Sequence, residues 1–416
     1  MRPGSVSIIA LVIFLLIDVY AFQAFRVLMQ DHAMRNKWIV YGIYWALSAA
    51  LLALFAFPPS DAFQHQNRTL YNVVLVIIMG VFLAKIMIIT FLFIDDVRRG
   101  VALLIKTVSK TKPAALGTDV QQAGITRSAF LVNAGLLLGG GFLVTMLYGM
   151  RNRYRYHINM QPLKFASLPA AFKGFRVVQI SDVHSGSFND KAKVQHGIDM
   201  IMAQKPDLIL FTGDIVNNLA EEMDDYLDVF ARLNAPMGVY SVLGNHDYGL
   251  YARLSKEGRQ ANLDRVKNIH QKLGWRLMMN ENVILTRGQD QIALLGVENW
   301  SANPRFPKLG RLDLAYAGTE HIPFKMLMSH DPSHWDGEIN QKYKDIQLTM
   351  SGHTHGMQFG IEIPGFKWSP VQYSYKQWAG LYNQDDQYLY VNRGFGFLGY
   401  PGRVGILPEI TVFELS

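Results

Sequence analysis

Residues able to hold metal ions stand at five places in the second half of this chain, and each place follows a strand-length apolar run. Ser181-Asp182-Val183-His184 follows the run 175–180, and Gly213-Asp214 follows 208–212. Gly244-Asn245-His246-Asp247 closes 239–243, Ser329-His330 closes 325–328, and Ser351-Gly352-His353-Thr354-His355 closes 346–350. A single histidine after a strand means little, because core histidines that satisfy one hydrogen bond are common. Seven candidates from five strand ends are hard to explain as structure alone: Asp182, His184, Asp214, Asn245, His330, His353 and His355. Ligand-binding residues in α/β sheets gather at the carboxyl ends of strands.

The chemistry that needs such a set is displacement at phosphorus. Two divalent cations ~3.5–4 Å apart clamp both sides of an in-line displacement. A carboxylate must bridge them, because it offers two oxygens and negative charge. Imidazole nitrogens fill the outer positions and suit Zn, Fe or Mn. The chain has no cysteine, so thiolate sites and disulfides are excluded. Glycines before Asp214, Asn245 and His353 let the backbone turn sharply close to the ions.

In this order the five motifs resemble the calcineurin-like metallophosphoesterase superfamily, over about residues 173–416. Gly352-His353-Thr354-His355-Gly356-Met357-Gln358 and Val391-Asn392-Arg393-Gly394-Phe395-Gly396 are most similar to its bacterial, membrane-anchored branch. The resemblance implies two divalent ions, Mn, Zn or Fe. It puts Asp182, His184 and His355 on the first, Asn245, His330 and His353 on the second, and Asp214 between them. A hydroxide held by both ions is then the expected nucleophile. His246 is expected to hydrogen-bond a phosphoryl oxygen or protonate the leaving group, with Asp247 orienting its ring. Asn217 stands where many members carry a second acidic residue. No tyrosine occupies a ligand motif, which argues against an iron-tyrosinate site.

The elements that must position these residues are legible in the apolar pattern. The first three runs are separated by helix-length stretches, which reads as β-α-β units. The resemblance implies an α/β fold, a layered β-sandwich flanked by helices. Residues 263–277 carry Leu263, Val266, Ile269 and Leu273 at helical spacing and are expected to pack on the sheet. Ahead of this lies an α-helical four-span membrane domain. The stretches 5–28, 36–57, 70–94 and 128–150 are each long and apolar enough to cross a bilayer. The domains expected are therefore a transmembrane domain at 1–150, a basic juxtamembrane connector at 151–172 and a phosphoesterase domain at 173–416. Gly139, Gly140 and Gly141 in the fourth span suit close packing on a neighbouring helix. Asp18 and Lys85 sit at similar depth in spans one and three; either they pair, because a lone charge in lipid is costly, or one or both face water or snorkel.

Charge locates the basicity. Of the 416 residues, the first 150 carry 12 Lys+Arg against 6 Asp+Glu, and the remainder 28 against 27. The excess belongs to membrane loops, and no nucleic-acid partner is expected. Arg35, Lys37, Arg98, Arg99, Lys106, Lys110, Lys112 and Arg127 lie in or beside the first and third loops, whereas Arg2 and Arg68 stand alone on the other side. The positive-inside rule then puts the catalytic domain outside the cytoplasm of a bacterial cell or inner membrane. Arg151, Arg153 and Arg155 argue the other way.

The function expected is hydrolysis of a phosphodiester, phosphomonoester or pyrophosphate, on a phosphorylated small molecule or a lipid-linked substrate. The alternative is a metal-binding sensor or regulatory membrane protein with little turnover. Oligomeric state is open. His334 and Trp335 read as loop residues that line the cleft or merely follow His330. Arg393 and Arg403 match phosphate geometry, yet a structural role is the ordinary expectation for each. The aromatic-rich stretch 366–382 touches lipid or substrate, or covers the sheet.

Overall fold

The computed structural model describes residues 8–57, 59, 63, 67–108 and 127–416. Arg2, Lys110, Lys112 and the first residues of span one lie outside them. The chain divides into two compact units, Met1–Tyr148 and Gly149–Ser416.

The first unit holds helices α1 (Ile8–Leu28), α2 (Met34–Ala56), α3 (Arg68–Val108) and α4 (Arg127–Gly149). All four helices are long and apolar enough to cross a membrane. Helix α3 has 41 residues and continues past the expected end of its span. At 1.5 Å per residue it is ~60 Å long, about twice the hydrocarbon thickness. The extension starts with Asp95, whose carboxylate meets Arg98 at 2.7 Å and Arg99 at 3.2 Å. Pairs three and four residues apart support a helix in water. Of the run Gly139, Gly140 and Gly141 in α4, Gly139 packs closely against Ala84 and Ile88 of α3, and Gly135 one turn earlier packs against Ile88 and Phe91. Gly140 and Gly141 have open space beside them.

The second unit is an α/β/β/α sandwich. Its first sheet is built from β1 (His157–Leu163), β2 (Phe175–Ile180), β3 (Leu208–Phe211), β4 (Val239–Ser241), β5 (Arg276–Leu277) and β14 (Glu409–Leu415), in the order β1-β14-β2-β3-β4-β5. Its second sheet is built from β6 (Glu281–Arg287), β7 (Asp290–Gly296), β8 (Lys325–Met328), β9 (Leu348–Ser351), β12 (Gly380–Gln384) and β13 (Gln387–Val391), in the order β12-β13-β9-β8-β7-β6. A separate hairpin joins β10 (Ile361–Ile363) to β11 (Phe366–Trp368). Strands β2 to β5 run parallel, as do β7, β8, β9 and β13.

Alternation along the strands explains the layers. Val177, Leu208, Leu210 and Phe413 face the second sheet and pack with Leu294, Met326, Met328 and Met350. Val178, Ile209 and Phe211 face outward onto α5 (Lys191–Ala203) and α6 (Lys256–Lys272), through Ile198, Ile201, Val266 and Ile269. Both helices start on a cap: Asp190 accepts from Lys193 N–H at 3.1 Å and Ser255 accepts from Gly258 N–H at 3.0 Å. Each buried aliphatic side chain contributes roughly 1.5–3 kcal/mol, so both faces of the central strands stabilise the unit.

Residues 151–172 are not a plain connector. His157–Leu163 forms β1, which pairs in parallel with β14 from His157↔Glu409 to Leu163↔Leu415. Tyr156 before it is buried and stacks on Phe395 with ring centroids 4.3 Å apart. The partner strand lies some 250 residues away, and no local pattern announces it.

Candidate metal centre

Strands β2, β3 and β4 of the first sheet and β8 and β9 of the second end in the loops that carry the candidate residues. Their backbone is unusual. Asp182, His184, Asp214, His353 and His355 all have positive φ, from 47° to 71°. Non-glycine residues pay of order 1 kcal/mol or more for this, and such residues cluster where a side chain must be aimed. Glycine is required beside them. A Cβ on Gly352 would collide with Ser181 Oγ and Asp182 Oδ2, and one on Gly213 would meet Gly244 N at 2.6 Å and His330 Nδ1 at 2.7 Å.

The side chains converge as two trios. Asp182, His184 and His355 offer ligand atoms within 4.8 Å of one another, and so do Asp214, His330 and His353. His184 Nε2 is 3.0 Å from His355 Nε2, and His355 Nε2 is 3.2 Å from Asp182 Oδ1. In the second trio His353 Nδ1 is 3.3 Å from His330 Nε2 and 2.7 Å from Asn245 Oδ1. Asp214 Oδ2 reaches toward both trios, 3.1 Å from His330 Nε2 and 3.6 Å from His184 Nε2. Nearly all of these groups are buried. Ring nitrogens facing each other and facing carboxylates in a dry site form a donor set that a pair of divalent cations fits.

The rings are held from behind. His330 Nδ1 faces Thr212 O at 2.8 Å, and His353 Nε2 faces Tyr375 OH at 2.7 Å. His353 N–H donates to both Asp182 oxygens at 3.0 Å. Burial pulls the His330 imidazole down, but the charge and hydrogen bond of Asp214, the Asp182 charge and Thr212 O together outweigh burial and raise it to about 10. Burial works against the Asp214 charge, and the neighbouring imidazoles outweigh it, holding that carboxyl well below its ordinary range.

His246 is half-buried, and its Nδ1 faces Asn217 O at 2.6 Å. A carbonyl there calls for the Nδ1–H tautomer and leaves Nε2 as the acceptor nitrogen of the ring. Its backbone N–H donates to Asp214 Oδ1 at 2.8 Å. The role expected of Asp247 is corrected by this geometry. Its carboxylate accepts the N–H groups of Asp214 at 2.9 Å, Ile215 at 2.9 Å and Gly244 at 2.8 Å, and it does not orient the His246 ring. Asp247 ties the β3 loop to the β4 loop. Burial, then the Asp214 charge, push its carboxyl up to about 7.

Other expectations sort plainly. His334 is buried, stacks on Trp300 at 4.4 Å and faces Ser329 Oγ at 2.8 Å, while Trp335 joins the outer core of the second sheet. Arg393 pairs with Glu409 at 2.6 Å and with Glu362. Arg403 is buried and donates to Arg393 O at 2.7 Å and His355 O at 3.3 Å. Asn217 Nδ2 donates to Ser187 Oγ at 3.0 Å. Helix α6 begins and ends earlier than the stretch 263–277.

Three residues were missed. Asp331 is buried, and its Oδ2 lies 3.7 Å from His353 Nε2 and accepts from Tyr375 OH at 3.3 Å. Tyr251 accepts from Asn245 Nδ2 at 2.9 Å. Asp331 directly follows His330 and was open to recognition as a carboxylate beside a ligand motif. Tyr251 and Tyr375 stand outside every motif, and only folding brings them in.

A two-sheet sandwich with Asp and His clusters at its strand ends belongs to the metal-dependent phosphoric ester hydrolases. Comparison with known proteins narrows the class. Residues 175–357 match the family model "Calcineurin-like phosphoesterase", and residues 1–153 match "Probable Calcineurin-like phosphoesterase, transmembrane domain". The chain is 30% identical over 294 residues to the uncharacterized metallophosphoesterase YkuE of Bacillus subtilis, covering 68% of this chain and 93% of that protein. It is 26% identical to phosphodiesterase YaeI of Escherichia coli, over 58% of this chain and 82% of that one. It is also 26% identical to UDP-2,3-diacylglucosamine pyrophosphatase LpxG of Chlamydia muridarum, over 56% of this chain and 80% of that one. The chain belongs to the calcineurin-like metallophosphoesterase family and carries that family's transmembrane domain at its N-terminus. It is a multi-pass membrane protein, and a phosphoric ester hydrolase that works with divalent metal.

Proposed function

We propose that this protein hydrolyses a phosphodiester or diphosphate bond of a lipid-linked substrate at the membrane surface, with two divalent cations held by its own Asp, Asn and His side chains. The observation that carries the reading is the place of Asp214, one carboxylate oxygen of which approaches an imidazole of each trio. When bound, the two ions supply positive charge to the phosphoryl oxygens and acidify water. Asp182, His184 and His355 would hold one ion, and Asn245, His330 and His353 the other. Asp214, with one oxygen near an imidazole of each trio, would serve both. His246 presents Nε2 to a phosphoryl oxygen or to the leaving oxygen, while Asn217 O fixes its tautomer. Asp247 and the glycines keep the loops at the right distance.

The lipid-linked substrate is supported by the membrane unit, which concentrates such molecules, and by the named activity of the LpxG relative. The basic residues of the first and third loops support a catalytic domain facing away from the cytoplasm of a bacterial inner membrane.

The test uses the full chain in lipid nanodiscs, loaded in turn with Mn, Zn, Fe or Mg. It is offered a chromogenic diester, a chromogenic monoester and a diacyl lipid diphosphate. Metal-dependent turnover of the lipid diphosphate, lost in Asp214→Asn and in His246→Ala, is expected. Binding of two ions without turnover of any of the three would sink the enzyme reading. Turnover of the soluble esters alone would sink the lipid substrate.

A further inference from the structure

The hairpin β10–β11 belongs to neither large sheet. Its register pairs Ile361 with Trp368, Glu362 with Lys367 and Ile363 with Phe366. Side chains alternate between faces along a strand, so the four apolar residues share one face and the two charged residues share the other. A surface hairpin ordinarily shows its charged face to water. Here the charged face is tied to the domain. Glu362 accepts from Arg393 Nε at 3.0 Å and Lys367 Nζ donates to Ala379 O at 2.5 Å, while both residues stay open to solvent. Ile361, Ile363 and Phe366 are left 48%, 58% and 52% exposed. A continuous exposed apolar face of this kind marks an interaction surface.

Its position in the chain's hydrogen-bond network says what covers it. The fourth apolar span ends at about Tyr154. Arg403 N–H donates to Gly149 O at 2.9 Å, Val404 N–H to Gln358 O at 2.8 Å, and Gly360 N–H to Val404 O at 2.9 Å. The base of the hairpin is therefore two strand spacings, about 10 Å, from the residues where the chain leaves the bilayer. Arg151 and Arg155 stand exposed there, at the height expected of phosphate headgroups. The same segment walls the candidate metal centre. Ser369 Oγ donates to Gly356 O at 2.8 Å, and Tyr375 OH faces His353 Nε2 at 2.7 Å.

We propose that the hairpin β10–β11 lies in the interface of the membrane that carries the chain, apolar face in lipid, and opens the metal centre to substrates arriving from that leaflet. The second half of this statement rests on the lipid-substrate reading, whereas the first stands without it. Apolar side chains seated a few ångströms into the headgroup boundary are the usual way a protein surface holds to lipid.

The chain has no native cysteine, so one introduced thiol is a unique reporter. Ile363→Cys and Phe366→Cys each carry a fluorescent label in the full chain, reconstituted in nanodiscs whose lipids bear an acyl-chain nitroxide. Lys272→Cys on the outer helix α6 is the reference. Quenching by the nitroxide lipid at 363 and 366, with protection from aqueous iodide, and the reverse at 272, is expected. Iodide access without lipid quenching at 363 and 366 overturns membrane docking. Shielding from both quenchers, with energy transfer between labelled chains, also overturns it and places a second copy on the hairpin. This readout needs no turnover. A second arm compares Ile363→Glu/Phe366→Glu with the unaltered chain. Hydrolysis of the bilayer-borne lipid diphosphate is expected to fall roughly tenfold as an apolar interfacial contact becomes a charge, with a soluble diester turned over as before. Equal loss on both substrates overturns the link to substrate entry. If the unaltered chain ignores the lipid diphosphate, the substrate half fails, while lipid quenching still upholds the docking half.

Discussion

Asp247 shows how one residue can be legible as important and illegible in its role. It sits in a motif of metal-centre residues, yet its oxygens take four backbone N–H groups from two loops. A buried N–H left without an acceptor costs about 1–3 kcal/mol, so Asp247→Ala is expected to lower stability by at least about 3 kcal/mol. Thermal unfolding in detergent without added metal measures this. An unchanged melting temperature with a fallen rate would instead point to proton transfer. His270 makes a pH prediction away from the metal centre. It is buried in α6, and neither ring nitrogen has a hydrogen-bond partner among the described residues. Burial pulls it from 6.5 down to about 3. The unfolded chain takes up the proton near pH 6.5 and the folded chain does not. The stability associated with neutral His270 is therefore complete above pH 6.5 and lost as pH falls toward 3, by up to about 1.4 kcal/mol per pH unit. His270→Leu is expected to flatten that part of the stability–pH curve, with little change at pH 7.5. An unaltered acid limb would refute the assignment.

Elements in the membrane unit are docked by polar contacts that sequence position foretold only in part. Lys85 on α3 pairs with Asp18 on α1, as their matching depth predicts, and Ser48 of α2 joins them, accepting from Lys85 Nζ at 2.8 Å. Tyr44 OH adds a bond to Asp18 O at 2.7 Å. Three helices thus share one buried polar cluster. Removing one partner leaves an uncompensated charge, at a cost of ~3–5 kcal/mol, whereas removing both is close to neutral. Lys85→Leu is therefore expected to lower the melting temperature in detergent far more than Asp18→Leu/Lys85→Leu. Equal losses in the single and the double variant would show that the pair does not dock these helices. Spans were readable because ~20 apolar residues in a row are a local property. The extra length of α3 was not, since side-chain pairs rather than hydropathy carry it.

For the whole molecule, the decisive boundary is where the catalytic unit begins. Strand β1 closes the edge of the first sheet, and Tyr154 and Tyr156 ahead of it are buried. A fragment cut at residue 162 loses most of this. It is expected to be less stable than a fragment starting at 150 by at least about 3 kcal/mol, the scale of one lost buried aromatic. Denaturant unfolding of the two fragments measures the difference. Equal midpoints would mean that β1 is an ornament on a core that stands without it. The hairpin belongs to this scale too, because the lipid contact proposed for Ile361, Ile363 and Phe366 depends on a membrane that the hairpin's own residues do not announce.

The spans, the five strand-end motifs and the order of the α/β elements are legible along the chain. Each is written in residues close together along the chain, as a run of apolar side chains or a ligand beside a glycine. Family membership follows from the same local motifs. The tertiary structure alone decided that Asp247 serves the backbone, that Asp331 and Tyr375 stand behind His353, and that 157–163 is a strand. It also decided that Ile361, Ile363 and Phe366 stand exposed on one face of a hairpin. These depend on partners tens to hundreds of residues away, and a carboxylate, a tyrosine or a short apolar run carries no mark of its partner until folding brings the two together.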